Sequence, residues 1–235
     1  MRGMGKNAIT VSLDDFYLPR SIQYPLDENG KPDYECVEAL DIELLHSCLS
    51  SLAENGKATL PVFDFVSGER DDNAKCIELL ENDIIIVEGL HGLNPVLLPE
   101  SLDKNAVFRL YVSPLLPLNL DDHNRIPSSY LRLLRRIVRD FSTRNSSVAR
   151  TLSMWDSVRR GEEKWIFPYQ ENADVIFNSS TLYELAVIKK AIFPLLDAVQ
   201  PEEEYYEEVR SMVKVLNFIH EADVDDEIPP TSIVR

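Results

Sequence analysis

A four-residue apolar run, residues 84–87 (IIIV), stops abruptly at Glu88-Gly89, and this junction limits what the chain can fold into more than any other feature. A short, continuous apolar run bounded by polar residues reads as a strand buried on both faces, the kind found in parallel sheets. Residues 8–13 (AITVSL) repeat the pattern and end at Asp14-Asp15, and residues 107–112 (VFRLYV) and 173–178 (ADVIFN) supply two further strands. Residues 59–66 (TLPVFDFV) have extended character. Between these segments the apolar period lengthens. Residues 36–53 place Val37, Leu40, Leu44, Leu45, Cys48, Leu49 and Leu52 at helical spacing, with Asn55-Gly56 as the stop. Helices are expected at 128–141, 148–160 and 182–199, and an acidic amphipathic one at 202–221. Strands alternating with helices predict an α/β fold with a mostly parallel sheet flanked by helices. In such a sheet ligands gather outside the carboxyl ends of the strands. Asp14-Asp15 and Glu88 are therefore expected on the functional edge.

The chain has 235 residues, 44% apolar and 27% charged, enough for a sizeable core. The expected organisation is one domain over residues 1–200, with an acidic helix and tail over 201–235. No apolar run could span a bilayer or form a signal peptide, so a cytoplasmic protein without membrane partners is expected. The cysteines, Cys36, Cys48 and Cys76, have no metal-like spacing, and their odd number argues against a disulfide framework. Net charge is −16, which on average repels nucleic acid. The charge is unevenly placed. Residues 132–160 hold eight arginines against Asp140 and Asp156, whereas 197–227 hold eleven acids against Arg210 and Lys214. An acidic chain with one arginine-dense segment suits a small polyanion better than a long one.

Three groups of residues can carry chemistry. A carboxylate at Asp14 could take a proton from a hydroxyl or hold Mg²⁺ through water; turn capping is the plainer reading. Glu88, directly after an apolar parallel strand, is placed like a Walker B acid, and with Asp14 it could converge on one ion. Arg132, Arg136 and Arg139 fall on one face of a helix, with Arg144 beyond them if the helix continues. Guanidinium groups so placed repel one another unless anions lie between them, and phosphates suit that role. His91 reads as polar lining or an exposed side chain. The segment 120–124 with Asp121, Asp122 and His123 fits no zinc pattern and reads as a structural loop. Trp155 and Trp165 read as packing residues.

These strings together resemble a known family. SLDDFYLPR (12–20), VFDFVSGER (62–70), IIIVEGLHGLNP (84–95) and RLLRRIVRDFSTRN (132–145) are similar to the uridine kinase and phosphoribulokinase group of P-loop kinases. LDDHNRIP (120–127), SVRRGEEKWIFPYQENADVIFNS (157–179) and YELAVIKKAIFPLL (183–196) resemble a bacterial subgroup of uridine kinase-like nucleoside kinases. The resemblance covers nearly the whole chain, in order. It implies an ATP- and Mg²⁺-dependent transfer of phosphate to the 5′-hydroxyl of a nucleoside. Asp14 would be the general base and lie near Mg²⁺, with Glu88 as the metal-site carboxylate. Tyr17, Phe63, Asp64 and Arg70 would contact the acceptor. Arg136, Arg139 and Arg144 would belong to a lid over the ATP phosphates, with Arg136 also reaching the acceptor and Arg139 steadying the transferring group.

The same resemblance exposes departures. Gly68 stands where uridine-cytidine kinases carry a histidine that reads the base, Asn145 replaces a lid glycine, and Phe63 lacks the hydroxyl of the more usual tyrosine. Uridine itself is therefore not assured as the acceptor. The resembling kinases begin with a central strand and a GxxxxGK[ST] loop ahead of the SLDDFY strand. Here eleven residues precede Ser12, and Gly3-Met4-Gly5-Lys6-Asn7 does not match that loop. The expectation is that the central strand and P-loop are missing, as in a fragment of the enzyme, which would leave apolar strand edges uncovered. Two alternatives follow: a non-catalytic binding or regulatory module completed by a partner's strand, or a kinase of another hydroxyl compound, as in phosphoribulokinase or pantothenate kinase. The resemblance leaves assembly into a homo-oligomer open.

Overall fold

The computed structural model describes residues 6–28, 30–229 and 232. It forms two compact units, one of residues up to Tyr111 together with Arg159–Val175, the other of Val112–Val158 and the chain from Ile176 onward.

The first unit is built around β1 (Asn7–Ser12), α1 (Ile42–Asn55), β2 (Lys57–Asp64), β3 (Glu69–Glu78) and β4 (Asp83–Glu88). β1 and β4 pair in parallel with Ala8 opposite Ile84 and Ser12 opposite Glu88, so both strands deliver their polar ends to the same edge. The expected helix over 36–53 starts later. Asp41 accepts the amide of Leu44 and sets the first turn at Ile42, while 37–39 form a separate 3-10 turn. Gly56, at φ 68°, closes the helix in the left-handed conformation that a side chain would disfavour. Leu45, Cys48, Leu49 and Leu52 of α1 pack with Val11, Leu13, Phe16, Leu60 and Ile77. β3 is an addition to what the sequence suggested: β2 and β3 form an antiparallel hairpin. Its register slips between Leu60 and Val62, where Pro61 has no amide to donate. Trp165 packs against the same core, as expected of a packing residue.

The second unit is helical: α2 (Ser128–Arg144), α3 (Val148–Gly161, entering the first unit at its last turn), α4 (Glu184–Asp197) and α5 (Tyr206–Asn217). Leu131, Leu134 and Ile137 of α2, Leu152 of α3, Ile188 and Ile192 of α4, and Val209, Val213 and Leu216 of α5 share one core. α2 continues to Arg144, past the expected end at 141, and α5 is shorter than the expected 202–221. Asn145 follows α2 at φ 49°, which explains the departure at that position: asparagine is the residue other than glycine that best tolerates a left-handed helix end.

The last strands, β5 (Leu110–Ser113) and β6 (Val175–Asn178), pair with each other. The Arg109 carbonyl accepts from Val175 and the Ser113 carbonyl from Ser179, so both run the same way. Among the described residues β4 and β5 each have a single strand partner. Phe108, Leu110, Val112, Ile176 and Phe177 are exposed, unlike the usual side chains of parallel strands. Among the described residues no helix is long and apolar enough to cross a membrane.

Candidate active site

The carboxyl edge of the β1–β4 pair is where the first unit collects its acids. Ser12 and Glu88 are register partners, and the Ser12 hydroxyl donates to the Glu88 carboxylate. Directly after Ser12 the chain turns through a 3-10 segment, Leu13–Phe16, anchored by buried Leu13 and Phe16. That anchoring leaves Asp14 and Asp15 half-buried at the same edge. Asp15 accepts the amide of Phe63 at 3.4 Å and so ties β2 to the turn. Gly89 admits close packing here: a Cβ on it would meet the Leu13 side chain at 2.6 Å.

Tyr17 follows at once. Its hydroxyl donates to the Tyr34 carbonyl at 3.1 Å, and its ring packs with Phe63 and Phe65 at centroid distances of 5.9 and 6.1 Å. Burial raises the Tyr17 pKa, with the charges of Asp14 and Glu35 adding to it, so the phenol stays protonated and Asp14 lies within electrostatic reach. Arg70 sits behind this group with its side chain 6% exposed. It donates to Asp41 at 2.9 Å, to Asp72 at 2.6 Å and to the carbonyls of Phe16 and Tyr17. Its guanidinium thus fixes the backbone on which Tyr17 is mounted. Asp64 is exposed and closes the hairpin turn, accepting Val66 N and Ser67 Oγ at 2.8 Å each; the Val66 amide is the main cause of its lowered pKa.

The turn explains Gly68. It has φ 75°, and an added Cβ would fall 2.3 Å from Arg20 Cδ. The Arg20 stem lies where a side chain at 68 would project, with its guanidinium on the Phe65 carbonyl at 3.0 Å.

Hard oxygen donors at this edge suit Mg²⁺, which takes one or two carboxylates and fills the rest of its shell with water and phosphate oxygens. Among the described residues no group of three or more His, Cys, Asp or Glu could hold an ion. Glu88 and Asp14 are compatible with the two-carboxylate case. Lys6 is at the far end of the strands, where it bonds Asn82 at 3.3 Å, before Asn7 opens β1. Gly3, Met4 and Gly5 of the glycine-containing start lie outside the described residues.

In the second unit the arginine row divides. Arg135 binds buried Glu184 through Nε and Nη2 and reaches Ser179, so it belongs to the core. Arg136, Arg139 and Arg144 surround Asp140: Arg139 at 2.9 Å, Arg136 at 3.4 Å and Arg144 at 3.5 Å. The anion expected between the guanidinium groups is thus supplied by the chain itself. Asp140 and Ser12 were not anticipated. Asp140 could have been found, since it stands four residues from both Arg136 and Arg144; Ser12 could not, since its partner is set by strand register. His91 is buried, 4% exposed, rather than exposed. The 120–124 segment is a structural turn, with Asp121 accepting His123 N and Asn124 N at 2.8 Å. All three cysteines are free thiols, Cys76 exposed and the others buried. Two hollows of about 160 and 240 Å³ lie beside Leu118 and Phe218 and beside Pro95 and Leu102, and none of the candidate site residues lines either.

The model of the phosphoribulokinase / uridine kinase family matches residues 26–186. The uridine kinases of Staphylococcus aureus strains JH9 and Newman are each 27% identical over 189 residues, 80% of this chain and 82% of theirs. A solved structure of a possible uridine kinase from Bacillus stearothermophilus aligns over 75% of this chain and 74% of its own, at 19% identity and a TM-score of 0.43. The family match spans more than half of the sequence, and the chain belongs to the phosphoribulokinase / uridine kinase family.

Proposed function

We propose that the chain carries the acceptor and lid parts of a kinase that transfers the γ-phosphate of ATP to the 5′-hydroxyl of a nucleoside. The observation that carries this reading is the cluster at one strand edge: Asp14 beside the Tyr17–Phe63–Phe65 aromatic group, with Glu88 held by Ser12 on the adjoining strand. Aromatic faces suit a nucleobase, and a carboxylate beside them suits the sugar hydroxyl.

In this reading Asp14 takes the 5′-hydroxyl proton as the oxygen attacks phosphorus. Tyr17 and Phe63 hold the base or sugar, Asp64 borders the acceptor through its turn, and Arg70 fixes the backbone behind Tyr17. Glu88 and Asp14 would hold Mg²⁺, which supplies charge neutralisation for the phosphates. Arg136, Arg139 and Arg144 bind the phosphates, and Arg139, about half exposed, is the one suited to the transferring group. Excluding water from such a site favours transfer over hydrolysis. Arg20 over Gly68 gives the acceptor surface a different reader from a histidine, so the acceptor base is a matter for a substrate panel.

The test is transfer of labelled γ-phosphate to uridine, cytidine and non-nucleoside alcohols. Asp14→Asn should lower turnover by roughly 10²–10⁴ with the fold intact, the usual worth of a general base. Turnover close to the unsubstituted rate removes Asp14 from that role. A second reading, a binding module without transfer that takes a strand from a partner chain, is favoured by β4 and β5 each having one strand partner among the described residues and by the exposed apolar side chains of β5 and β6. Calorimetry separates the two: Mg²⁺-dependent ATP binding by the chain alone favours the kinase, and its absence favours the module.

A further inference from the structure

We propose that Asp140 is the positioning residue of the arginine segment, gathering Arg136, Arg139 and Arg144 around one buried carboxylate so that they bind a polyphosphate together. This rests on the reading of those arginines as phosphate ligands.

Asp140 is 6% exposed, which is rare for an aspartate without partners. Its Oδ1 accepts Arg139 Nη2 at 2.9 Å and Nε at 3.1 Å and faces Arg144 Nη1 at 3.5 Å. Its Oδ2 faces Arg136 Nε at 3.4 Å and Thr151 Oγ1 of α3 at 3.5 Å. The main chain is fixed as well: the Asp140 carbonyl accepts from Asn145, which caps α2, and from Ser146 at 3.0 Å. Adjacent residues on a helix point apart, so Arg139 folds back against its own turn to reach Asp140. One carboxylate thereby sets the direction of three guanidinium groups from successive turns. The four charges sum to a positive value, and the side chains of Arg139 and Arg144 remain 49% and 41% exposed. Groups held in advance lose less freedom when a ligand arrives.

The experiment is calorimetric titration of the purified chain with inorganic tripolyphosphate at low salt. Removing the Asp140 charge by Asp140→Asn would, on Coulomb attraction alone, strengthen anion binding. The proposal expects the opposite: binding weaker by about tenfold, a typical coupling within one ion-pair network, with partial recovery in Asp140→Glu. In the Asp140→Asn background, Arg144→Ala should no longer weaken binding, a change that a merely structural role would not produce. If Asp140→Asn does not fold, Arg139→Ala and Arg144→Ala are combined in the otherwise unsubstituted chain. The pair, held by one oxygen, should cost less than the product of the separate fold-losses; a simple product overturns the proposal. Equal or tighter binding by folded Asp140→Asn overturns this inference and leaves the kinase reading standing. No tripolyphosphate binding by the unsubstituted chain overturns both. Tripolyphosphate binding as expected, with no transfer to any acceptor, overturns the kinase reading alone.

Discussion

Arg135→Met should destabilise the protein severely while leaving tripolyphosphate binding by the folded form unchanged. Glu184 is fully buried, and both of its oxygens lie on the Arg135 guanidinium; apart from that, the Thr181 amide at 3.4 Å is its neighbour. Methionine keeps much of the stem's volume and removes the charge, so the carboxylate is left in a dry site with one long hydrogen bond. Breaking a buried pair from one side costs about 3–5 kcal/mol, most of it the stranded charge. At about 2–4 °C per kcal/mol for a chain of this size, the melting temperature should fall by roughly 6–20 °C. Glu184→Gln should cost less, about 1.5–3 kcal/mol, because Arg135 is partly exposed and keeps the Ser179 carbonyl at 2.9 Å. Arg135→Met combined with Glu184→Leu should be less damaging than Arg135→Met alone, since no charge remains buried. Circular dichroism in a thermal scan and in urea measures all three. A loss below about 1 kcal/mol for Arg135→Met would refute the reasoning, as would a double variant no more stable than Arg135→Met alone.

Two further outcomes follow from single positions. Gly68→Ala should cost about 1–2 kcal/mol, the penalty of a side chain at φ 75°, and urea unfolding should show it; an unchanged midpoint would mean that the turn adopts another conformation. Burial lowers the His91 pKa, against the Glu35 backbone and the charges of Glu38 and Asp33. Its unfolded form therefore binds a proton first as pH falls below about 6.5, so this residue's contribution to stability is lost on acidification from there toward its depressed folded pKa. Stability measured between pH 7 and 5 should decline more steeply for the unsubstituted chain than for His91→Gln, and parallel curves would contradict the assignment.

Much of this was legible in the residues because the signals were local. The apolar runs at 8–13 and 84–87 mark β1 and β4, and the acids ending them mark the edge where the candidate site lies. What was not legible depended on partners distant in sequence. β3 carries no local signal because residues Asp71–Lys75 are all exposed and, Ala74 apart, polar, so no alternation announces a strand. The family resemblance implies Arg70 as a contact of the acceptor. Its burial against Asp41, twenty-nine residues away, shows that it first serves the backbone under Tyr17. Asp64 reads as an acceptor contact, yet its oxygens are engaged in a turn that only the hairpin creates.

The arginine segment is the place where sequence spacing and tertiary context divide the work. Four residues in the segment 135–144 look alike as a charge run, but Arg135 lies one step round the helix from Arg136 and meets Glu184 at the start of α4. Arg136, Arg139 and Arg144 meet Asp140 instead, and Asp140 in turn meets Thr151 of α3. The acid that each guanidinium finds therefore decides whether it acts as a core fastening or as part of an anion site. This also accounts for a dense arginine row in a chain of net charge −16: the row is kept compact by an internal counter-ion rather than by the acidic surface elsewhere. A phosphate ligand would then meet guanidinium groups already assembled, and its binding should weaken with salt as a short-range, several-charge contact does.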